Sequence, residues 1–165
     1  MKINSAILKG AKFLKNRCIS SAFLDSEILM AKAINKDRKY ILLNLNKKLT
    51  TQDFVNYKKL VKNRSSKTPV AYLTNKKFFW NSEFFVTKDT LIPRPDTEIL
   101  VECILNYSKN KNNLSILDIG VGSGCILLSI LKEKKNFVGS GIDISKDTLN
   151  ICKINAYKLD VINRL

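Results

Sequence analysis

Three closely spaced glycines carry the clearest chemical signal in the sequence. Gly120, Gly122 and Gly124 occupy every second position directly after the predicted strand 114–119, which contains Asp118, and an apolar helical pattern follows them. Glycines let the backbone turn sharply and let a ligand approach it without a side chain in the way. The N–H groups at the start of a helix favour an anionic group. This pattern predicts a site for the charged end of a nucleoside cofactor.

A carboxylate at the end of the next predicted strand strengthens this interpretation. Asp143 follows a second apolar run and can accept hydrogen bonds from both hydroxyls of a ribose. Dinucleotide-binding loops space their glycines as GxGxxG, whereas residues 120–125 read GVGSGC and Asp118 lies two positions before the first glycine. This DxGxGxG form resembles the first motif of Rossmann-like methyltransferases. A nicotinamide enzyme and a purely structural glycine turn are the alternatives. The candidate cofactor-binding residues are Asp118, Gly120, Val121, Gly122, Ser123, Gly124 and Asp143.

The elements that must position these residues read as the opening of a doubly wound α/β sheet. Before them, the segment Pro93-Arg94-Pro95 should lead into a helix with Asp96 and Glu98 in its first turn, where the helix dipole favours acids. The later pattern predicts, in order, a strand over 114–119, a helix over 125–132, a strand over 137–143 and a helix over 145–158.

The first 65 residues predict a small helical bundle. Asp37 is a candidate helix cap, and Thr50 with Asp53 is spaced like a capping box. For the second helix we expect Leu24, Ile28 and Ala31 to share the packed face. The polar stretch ending in Pro69 marks a boundary, and two aromatic runs, 76–80 and 83–87, predict a β-hairpin with Asn81-Ser82 as its two-residue turn. The expected domains are 1–66 (helical), 67–90 (a linker with the hairpin) and 91–165 (the first part of an α/β domain).

Composition excludes several classes of site. Histidine is absent and the four cysteines lie far apart, so we expect no metal site and no Ser-His or Cys-His nucleophile pair. No apolar run is long enough to cross a membrane, and we expect a cytoplasmic protein. The formal net charge is +15, but the excess is nearly all lysine with no dense run, so we do not expect specific nucleic-acid binding.

Several motifs together resemble one enzyme family. They are Pro69-Val-Ala-Tyr-Leu73, Leu91-Ile-Pro-Arg-Pro-Asp-Thr-Glu98, the run ILDIGVGSGCILLSIL from Ile116, GIDIS from Gly141, Asn155-Ala156 and, upstream, Ser21-Ala-Phe-Leu-Asp25 with Glu27-Ile-Leu29. They are similar to the release factor glutamine N5-methyltransferases, the PrmC/HemK family, over essentially the whole chain. The segment PRPDTE distinguishes this family from the related enzymes that act on a large-subunit ribosomal protein. Asn75 stands where the family usually has glycine, which is tolerable because asparagine also accepts left-handed backbone angles.

The resemblance implies an S-adenosylmethionine-dependent enzyme that methylates a glutamine side-chain amide in peptide chain release factors. It implies that residues 120–124 contact the methionine end of the cofactor, that Asp143 binds its ribose, and that residues 1–66 recognise the release factor. Four residues of PRPDTE would border the active site: Arg94, Asp96, Thr97 and Glu98. For Asp96 and Glu98, an ordinary role as helix-start acids is the alternative.

The family's catalytic motif, Asn-Pro-Pro-Tyr, does not occur among the 165 residues, whose only prolines are Pro69, Pro93 and Pro95. The sequence therefore offers no catalytic residue by this resemblance, and we expect the chain alone to be an inactive part of the enzyme. A sheet of two strands leaves an open edge, which another chain or a missing C-terminal part would have to cover. The alternatives are a non-catalytic release-factor-binding fragment and a nucleic-acid amino-methyltransferase.

Overall fold

The computed structural model describes Met1–Leu165 and divides into two units, Met1–Thr74 and Asn75–Leu165. The mixed α/β class expected from the sequence is confirmed, with a helical first unit and two small sheets in the second. No helix has the length and apolar content that a membrane crossing requires.

The first unit is a bundle of five helices. They are α1 (Ile3–Lys15), α2 (Ala22–Ala33), α3 (Arg38–Leu43), α4 (Thr51–Ser65) and α5 (Val70–Thr74). Asp37 caps α3 by accepting the Tyr40 N–H at 2.6 Å, and the Thr50 hydroxyl caps α4 by accepting the Asp53 N–H at 3.1 Å, as the sequence predicted. The buried core includes Ile3, Ile7, Leu14, Leu29, Met30, Ile41, Tyr57 and Val61.

The packed face of α2 differs from the one expected from apolar spacing. Leu24 is exposed, whereas Asp25 and Glu27 are buried. Each carboxylate is paired with an arginine from a distant part of this unit: Asp25 with Arg64 Nε at 2.6 Å and Glu27 with Arg38 Nη2 at 2.8 Å. The pairing stabilises charges that would otherwise be too costly to bury.

The Tyr57 hydroxyl occupies the centre of this bundle. It shares a hydrogen bond with the Ser26 hydroxyl and lies 3.3 Å from the Ala6 carbonyl oxygen. The Ser26 hydroxyl in turn donates to the Ile7 carbonyl at 2.7 Å. Burial raises the pKa of Tyr57 to about 12, because the phenolate would lose its hydration.

The raised pKa predicts a loss of stability at alkaline pH. An unfolded tyrosine ionises near pH 10, whereas the folded state keeps its proton until about pH 12. The stability that the protonated Tyr57 hydroxyl contributes is therefore complete below pH 10 and is lost as the pH rises toward 12. Between these values we expect the free energy of unfolding to fall by about 2 kcal/mol more in the wild type than in Tyr57→Phe. Urea denaturation at a series of pH values measures the difference, and parallel profiles would contradict it.

Positive charge is concentrated in the first unit. Residues 1–74 contain 16 Lys and Arg against 4 Asp and Glu, whereas residues 75–165 contain 13 against 10. Because Asp25 and Glu27 are buried with arginine partners, the surface acids of the first unit are Asp37 and Asp53. All 13 lysines of this unit are exposed. Its surface is therefore strongly cationic.

The second unit begins with an antiparallel hairpin of β1 (Lys77–Phe79) and β2 (Ser82–Phe84). Phe79 pairs with Ser82, so the turn consists of Trp80 and Asn81, one residue earlier than the sequence predicted. Both turn residues have positive φ, 41° and 43°, which is the backbone of a primed two-residue turn. Asn75, before β1, has φ 59°, the left-handed conformation expected of an asparagine in place of glycine.

The remaining elements form a parallel two-stranded sheet with its connecting helices. A short 3-10 turn (Pro95–Thr97) leads into α6 (Glu98–Tyr107); then follow β3 (Ser115–Ile119), α7 (Cys125–Glu133), β4 (Val138–Ile142) and α8 (Lys146–Lys158). These bounds agree with the predicted strands and helices to within one or two residues. In the sheet, Asp118 pairs with Gly141 and Ile119 with Ile142. The carboxyl ends of both strands therefore meet at one edge.

One face of this sheet is exposed and apolar. Leu117 is 60% and Ile119 76% exposed on β3, and Val138 and Ile142 on β4 are also exposed. The alternate residues on the other face, among them Gly139, are half-buried or buried. The open sheet expected from the sequence is present in this chain.

Candidate functional site

The glycine loop connects the end of β3 to the start of α7, as predicted. Gly120 has φ 82° and Gly124 has φ 81°, and side chains other than glycine rarely adopt this conformation. The two positions differ in their surroundings. A Cβ at Gly124 would lie 2.7 Å from Leu128 Cδ1 and 2.8 Å from Cys152 Sγ, whereas a Cβ at Gly120 would have no atom within 4 Å beyond those of its two chain neighbours. Gly124 thus allows close packing, and Gly120 borders open space.

The Asp143 carboxylate joins the glycine loop to the end of β4. Its Oδ2 accepts the Gly122 N–H at 3.1 Å, and its Oδ1 accepts the Ser145 N–H at 3.0 Å. Ser145 in turn caps α8 by accepting the Thr148 N–H at 3.3 Å. Each carboxylate oxygen accepts one of these bonds and keeps a lone pair for another donor. The structure therefore brings together the loop and the acid that the sequence selected.

Most N–H groups of the loop already have acceptors within the chain. Those of Gly120 and Val121 bond to the Ile142 carbonyl at 2.8 and 3.0 Å, and that of Gly124 bonds to the Val121 carbonyl at 2.8 Å. Together with the Gly122 bond to Asp143, these engage four of the five N–H groups of residues 120–124. The loop is thus held rigidly at the strand ends and contributes its shape more than free donors.

Three ionisable groups near the glycine loop are partly desolvated: Asp118, Cys125 and Cys152. Burial raises the pKa of Asp118, and the negative charge of Asp143 raises it further. Burial also raises the pKa of the Cys125 thiol, and it raises that of Cys152 to about 11. Both thiols are therefore protonated at neutral pH and poor nucleophiles. Val121 and Ser123, the other selected loop residues, are buried.

The PRPDTE segment lies at the start of α6. Arg94 and Asp96 are exposed, and Thr97 and Glu98 are half-buried. The Glu98 carboxylate accepts the Trp80 N–H at 3.0 Å, so this acid supports the hairpin turn. That bond gives Glu98 a structural partner. The side chains of Arg94 and Asp96 form no hydrogen bond with the glycine loop, whose backbone is bonded by the Asp143 and Asn155 side chains.

Asn155 contacts the loop but was not selected as a site residue from the sequence. It is completely buried on α8, and its Nδ2 donates to the Ser123 carbonyl at 2.9 Å. The signal that could have identified it is an amide on the buried stripe of α8, whose other members are Thr148, Ile151, Cys152 and Ala156. A buried amide implies fixed hydrogen-bond partners.

Comparison with known proteins shows which proteins the chain is similar to. Residues 5–74 match the model of the PrmC N-terminal domain. The chain is 40% identical over 156 residues to a release factor glutamine methyltransferase of Buchnera aphidicola, which covers 94% of this chain and 56% of that protein. It is 38% identical over 158 residues to the enzyme of the same name from Leptospira interrogans, covering 95% and 55%. It is 36% identical over 165 residues to the release factor glutamine methyltransferase of Clostridium acetobutylicum, and the alignment covers 100% of this chain and 58% of that protein.

The chain thus spans about half the length of the curated relatives it matches. The similarity extends over both units, and it includes the helical unit by an independent family model. The chain is therefore similar to the N-terminal part of the release factor glutamine methyltransferases, the PrmC/HemK family.

Proposed function

We propose that this chain binds S-adenosylmethionine as part of an enzyme that methylates a glutamine side-chain amide nitrogen in peptide chain release factors. The observation that carries the proposal is the bond between the Gly122 N–H and the Asp143 carboxylate at the carboxyl ends of β3 and β4. Ligands of open α/β sheets bind at this edge. The names of the relatives from Buchnera, Leptospira and Clostridium support the substrate class.

The Asp143 carboxylate fits a ribose. Both oxygens retain acceptor capacity after bonding to Gly122 and Ser145, and two neighbouring hydroxyls can donate to one carboxylate. The bonds to the backbone fix the orientation of the carboxylate before the ligand arrives. Asp143 is therefore proposed to hold the nucleoside end of the cofactor.

The space beside Gly120 fits the methionine end. Apart from Gly120 itself and its two chain neighbours, no residue has an atom within 4 Å of the position that a Cβ would take at Gly120, so a ligand can contact the backbone there. Asp118 lies below the loop with a raised pKa, and a cationic ammonium group nearby would favour its ionised form. The cofactor supplies a methyl group on a positively charged sulfonium. Val121 and Ser123 complete the loop as buried supports.

The proposal assigns no residue of this chain to orienting the substrate amide. A glutamine amide nitrogen is a weak nucleophile because its lone pair is delocalised, so the reaction depends on positioning and on accepting the amide hydrogens. The family's Asn-Pro-Pro-Tyr motif is absent from the 165 residues, and the chain alone is proposed to bind cofactor without methyl transfer. Arg94, Asp96, Thr97 and Glu98 are proposed to border the site, and the open sheet is proposed to be completed by a second chain or by a C-terminal continuation of this one.

Ultraviolet cross-linking with S-adenosylmethionine labelled in its methyl group tests the cofactor assignment directly. We expect label in peptides of residues 75–165, and we expect excess S-adenosylhomocysteine to abolish it while excess NAD leaves it unchanged. Labelling that S-adenosylhomocysteine does not compete away would contradict the proposal.

Release-factor docking is proposed for the helical unit. A groove of about 550 Å³ on this unit is lined by lysines and apolar side chains: Ala11, Lys12, Lys15, Cys18, Ile19, Ser20, Ala22 and Phe23. Basic and apolar groups together suit an acidic, amphipathic protein surface. This assignment extends the PrmC N-terminal domain match of residues 5–74.

The docking proposal predicts a strong dependence on salt. We expect the association rate with a release factor to fall by about tenfold or more between low and high ionic strength, because screening weakens long-range attraction. Lys12→Gln with Lys15→Gln should reduce that rate, whereas Lys135→Gln with Lys153→Gln, two exposed lysines of the second unit, should leave it near wild type. Surface plasmon resonance measures both effects, and equal rates for the two double variants would exclude the groove.

A nucleic-acid substrate is the second candidate, favoured by the same cationic surface of the first unit. Displacement of the release factor by short RNA would favour it. If RNA and the release factor are present at the same concentration of charged groups and RNA does not affect release-factor binding, the result would favour the protein substrate.

A further inference from the structure

The Asn155 side chain joins two segments that are far apart in the sequence. Its Oδ1 accepts the Phe85 N–H at 2.7 Å, and its Nδ2 donates to the Phe85 carbonyl at 2.9 Å and to the Ser123 carbonyl at 2.9 Å. Both amide hydrogens are thus used, and the side chain is 0% exposed. Asn155 contacts the Phe85 peptide as a neighbouring strand would, while it also holds the glycine loop.

A second bond attaches the same segment to the same helix. The Thr148 hydroxyl donates to the Asp89 carbonyl at 2.8 Å, and Thr148 is also buried. Thr148 and Asn155 are seven residues apart, two turns along one face of α8. Residues 85–89 are therefore attached at both ends to the helix that follows Asp143. This segment precedes Pro93-Arg94-Pro95, which leads into α6.

We propose that Asn155 is a positioning residue that fixes the distance between the glycine loop and the segment 85–89. The inference rests on the proposed function in one respect, that the loop binds the cofactor. Loss of the two donated bonds would remove the Asn155 donor from the buried Ser123 carbonyl and from the half-buried Phe85 carbonyl, which costs free energy. The chain would relieve this cost by moving the loop, the segment or both, and Gly122 would move relative to Asp143.

Hydrogen exchange of the ligand-free chain tests the positioning itself. In Asn155→Ala we expect exchange to accelerate at least about tenfold at the N–H groups of Phe85, Gly122 and Gly124. In Asn155→Asp, which keeps the acceptor for the Phe85 N–H but loses both donors, Phe85 should stay better protected than the two glycines. Asn150→Ala, an exposed asparagine on the same helix, is the matched control and should match the wild type.

A variant that only lowers stability separates positioning from general loosening. Val101→Ala removes a fully buried side chain of α6, and exchange at the glycine loop relative to the sheet should stay as in the wild type. Wild-type protection of Gly122 and Gly124 in Asn155→Ala would overturn the proposal.

Calorimetric titration with S-adenosylhomocysteine tests the consequence for the ligand. We expect the Kd to rise at least about tenfold in Asn155→Ala and to stay within about twofold in Asn150→Ala and Val101→Ala. Accelerated exchange with unchanged affinity would overturn the positioning role. A wild-type chain that does not bind S-adenosylhomocysteine would remove the proposed cofactor, whereas the exchange pattern would still decide whether Asn155 fixes the loop.

Discussion

Asp143→Ala should weaken the binding of S-adenosylhomocysteine by about 2 to 4 kcal/mol, which is roughly thirtyfold to several hundredfold in Kd. The variant removes the acceptor proposed for the ribose hydroxyls. It also removes the acceptor of the Gly122 and Ser145 N–H groups, which hold the loop against the end of β4. Isothermal titration calorimetry at one temperature, with all variants folded, measures the change.

Two further variants separate these contributions. Asp147→Ala removes an exposed carboxylate in the first turn of α8 and should bind like the wild type. Asp143→Asn keeps one oxygen acceptor but lacks the negative charge, and its affinity should lie between those of the wild type and Asp143→Ala. An unchanged affinity in Asp143→Ala would remove this residue from the site.

Alanine substitutions at Gly124 and Gly120 should have opposite dominant effects. In Gly124→Ala the new Cβ would overlap Leu128 and Cys152, and the residue would be forced into a left-handed backbone conformation. Overpacking and backbone strain together should lower the free energy of unfolding by about 3 kcal/mol. Gly120→Ala has the strain without the overlap, so it should lose only about 1 kcal/mol of stability.

Ligand binding should show the reverse order. The methyl group of Gly120→Ala would fill space proposed for the methionine end, and the Kd should rise about tenfold or more. Thermal unfolding of the free chain and calorimetric titration with S-adenosylhomocysteine, performed on both variants, distinguish the two roles. Equal losses of stability in Gly120→Ala and Gly124→Ala would show that packing beneath the loop does not distinguish them.

The α/β part of the fold could be predicted closely because its signals are local. Apolar runs over 114–119 and 137–143, with a glycine loop after the first, determine the strand ends within one or two residues. Asp37, Thr50 and Ser145 cap helices through bonds that reach only three residues along the chain. The same locality places Asp143 beside the loop, since parallel strands end at one edge of the sheet.

The features that were wrong or missed depend on distant partners. Apolar spacing predicted Leu24 on the packed face of α2, but burial of Asp25 and Glu27 requires Arg64 and Arg38, which sequence periodicity cannot pair with them. The hairpin turn lies at Trp80-Asn81 because Phe79 pairs with Ser82. A one-residue shift exchanges the two faces of a strand, so a short strand leaves its register weakly determined.

Asn155 was missed for a similar reason. Its partners, Phe85 and Ser123, lie 70 and 32 residues away along the chain. Only their approach to α8 shows why the buried stripe of this helix contains an amide. A polar residue on such a stripe predicts that a partner exists without identifying it.

Parallel calorimetric titrations of the wild-type chain with S-adenosylhomocysteine and with NAD test most directly whether the glycine loop and Asp143 form a methyltransferase cofactor site. We predict saturable binding at one site for S-adenosylhomocysteine and no heat of binding for NAD. Binding of NAD in preference, or no binding of S-adenosylhomocysteine by the folded chain, would contradict the proposal.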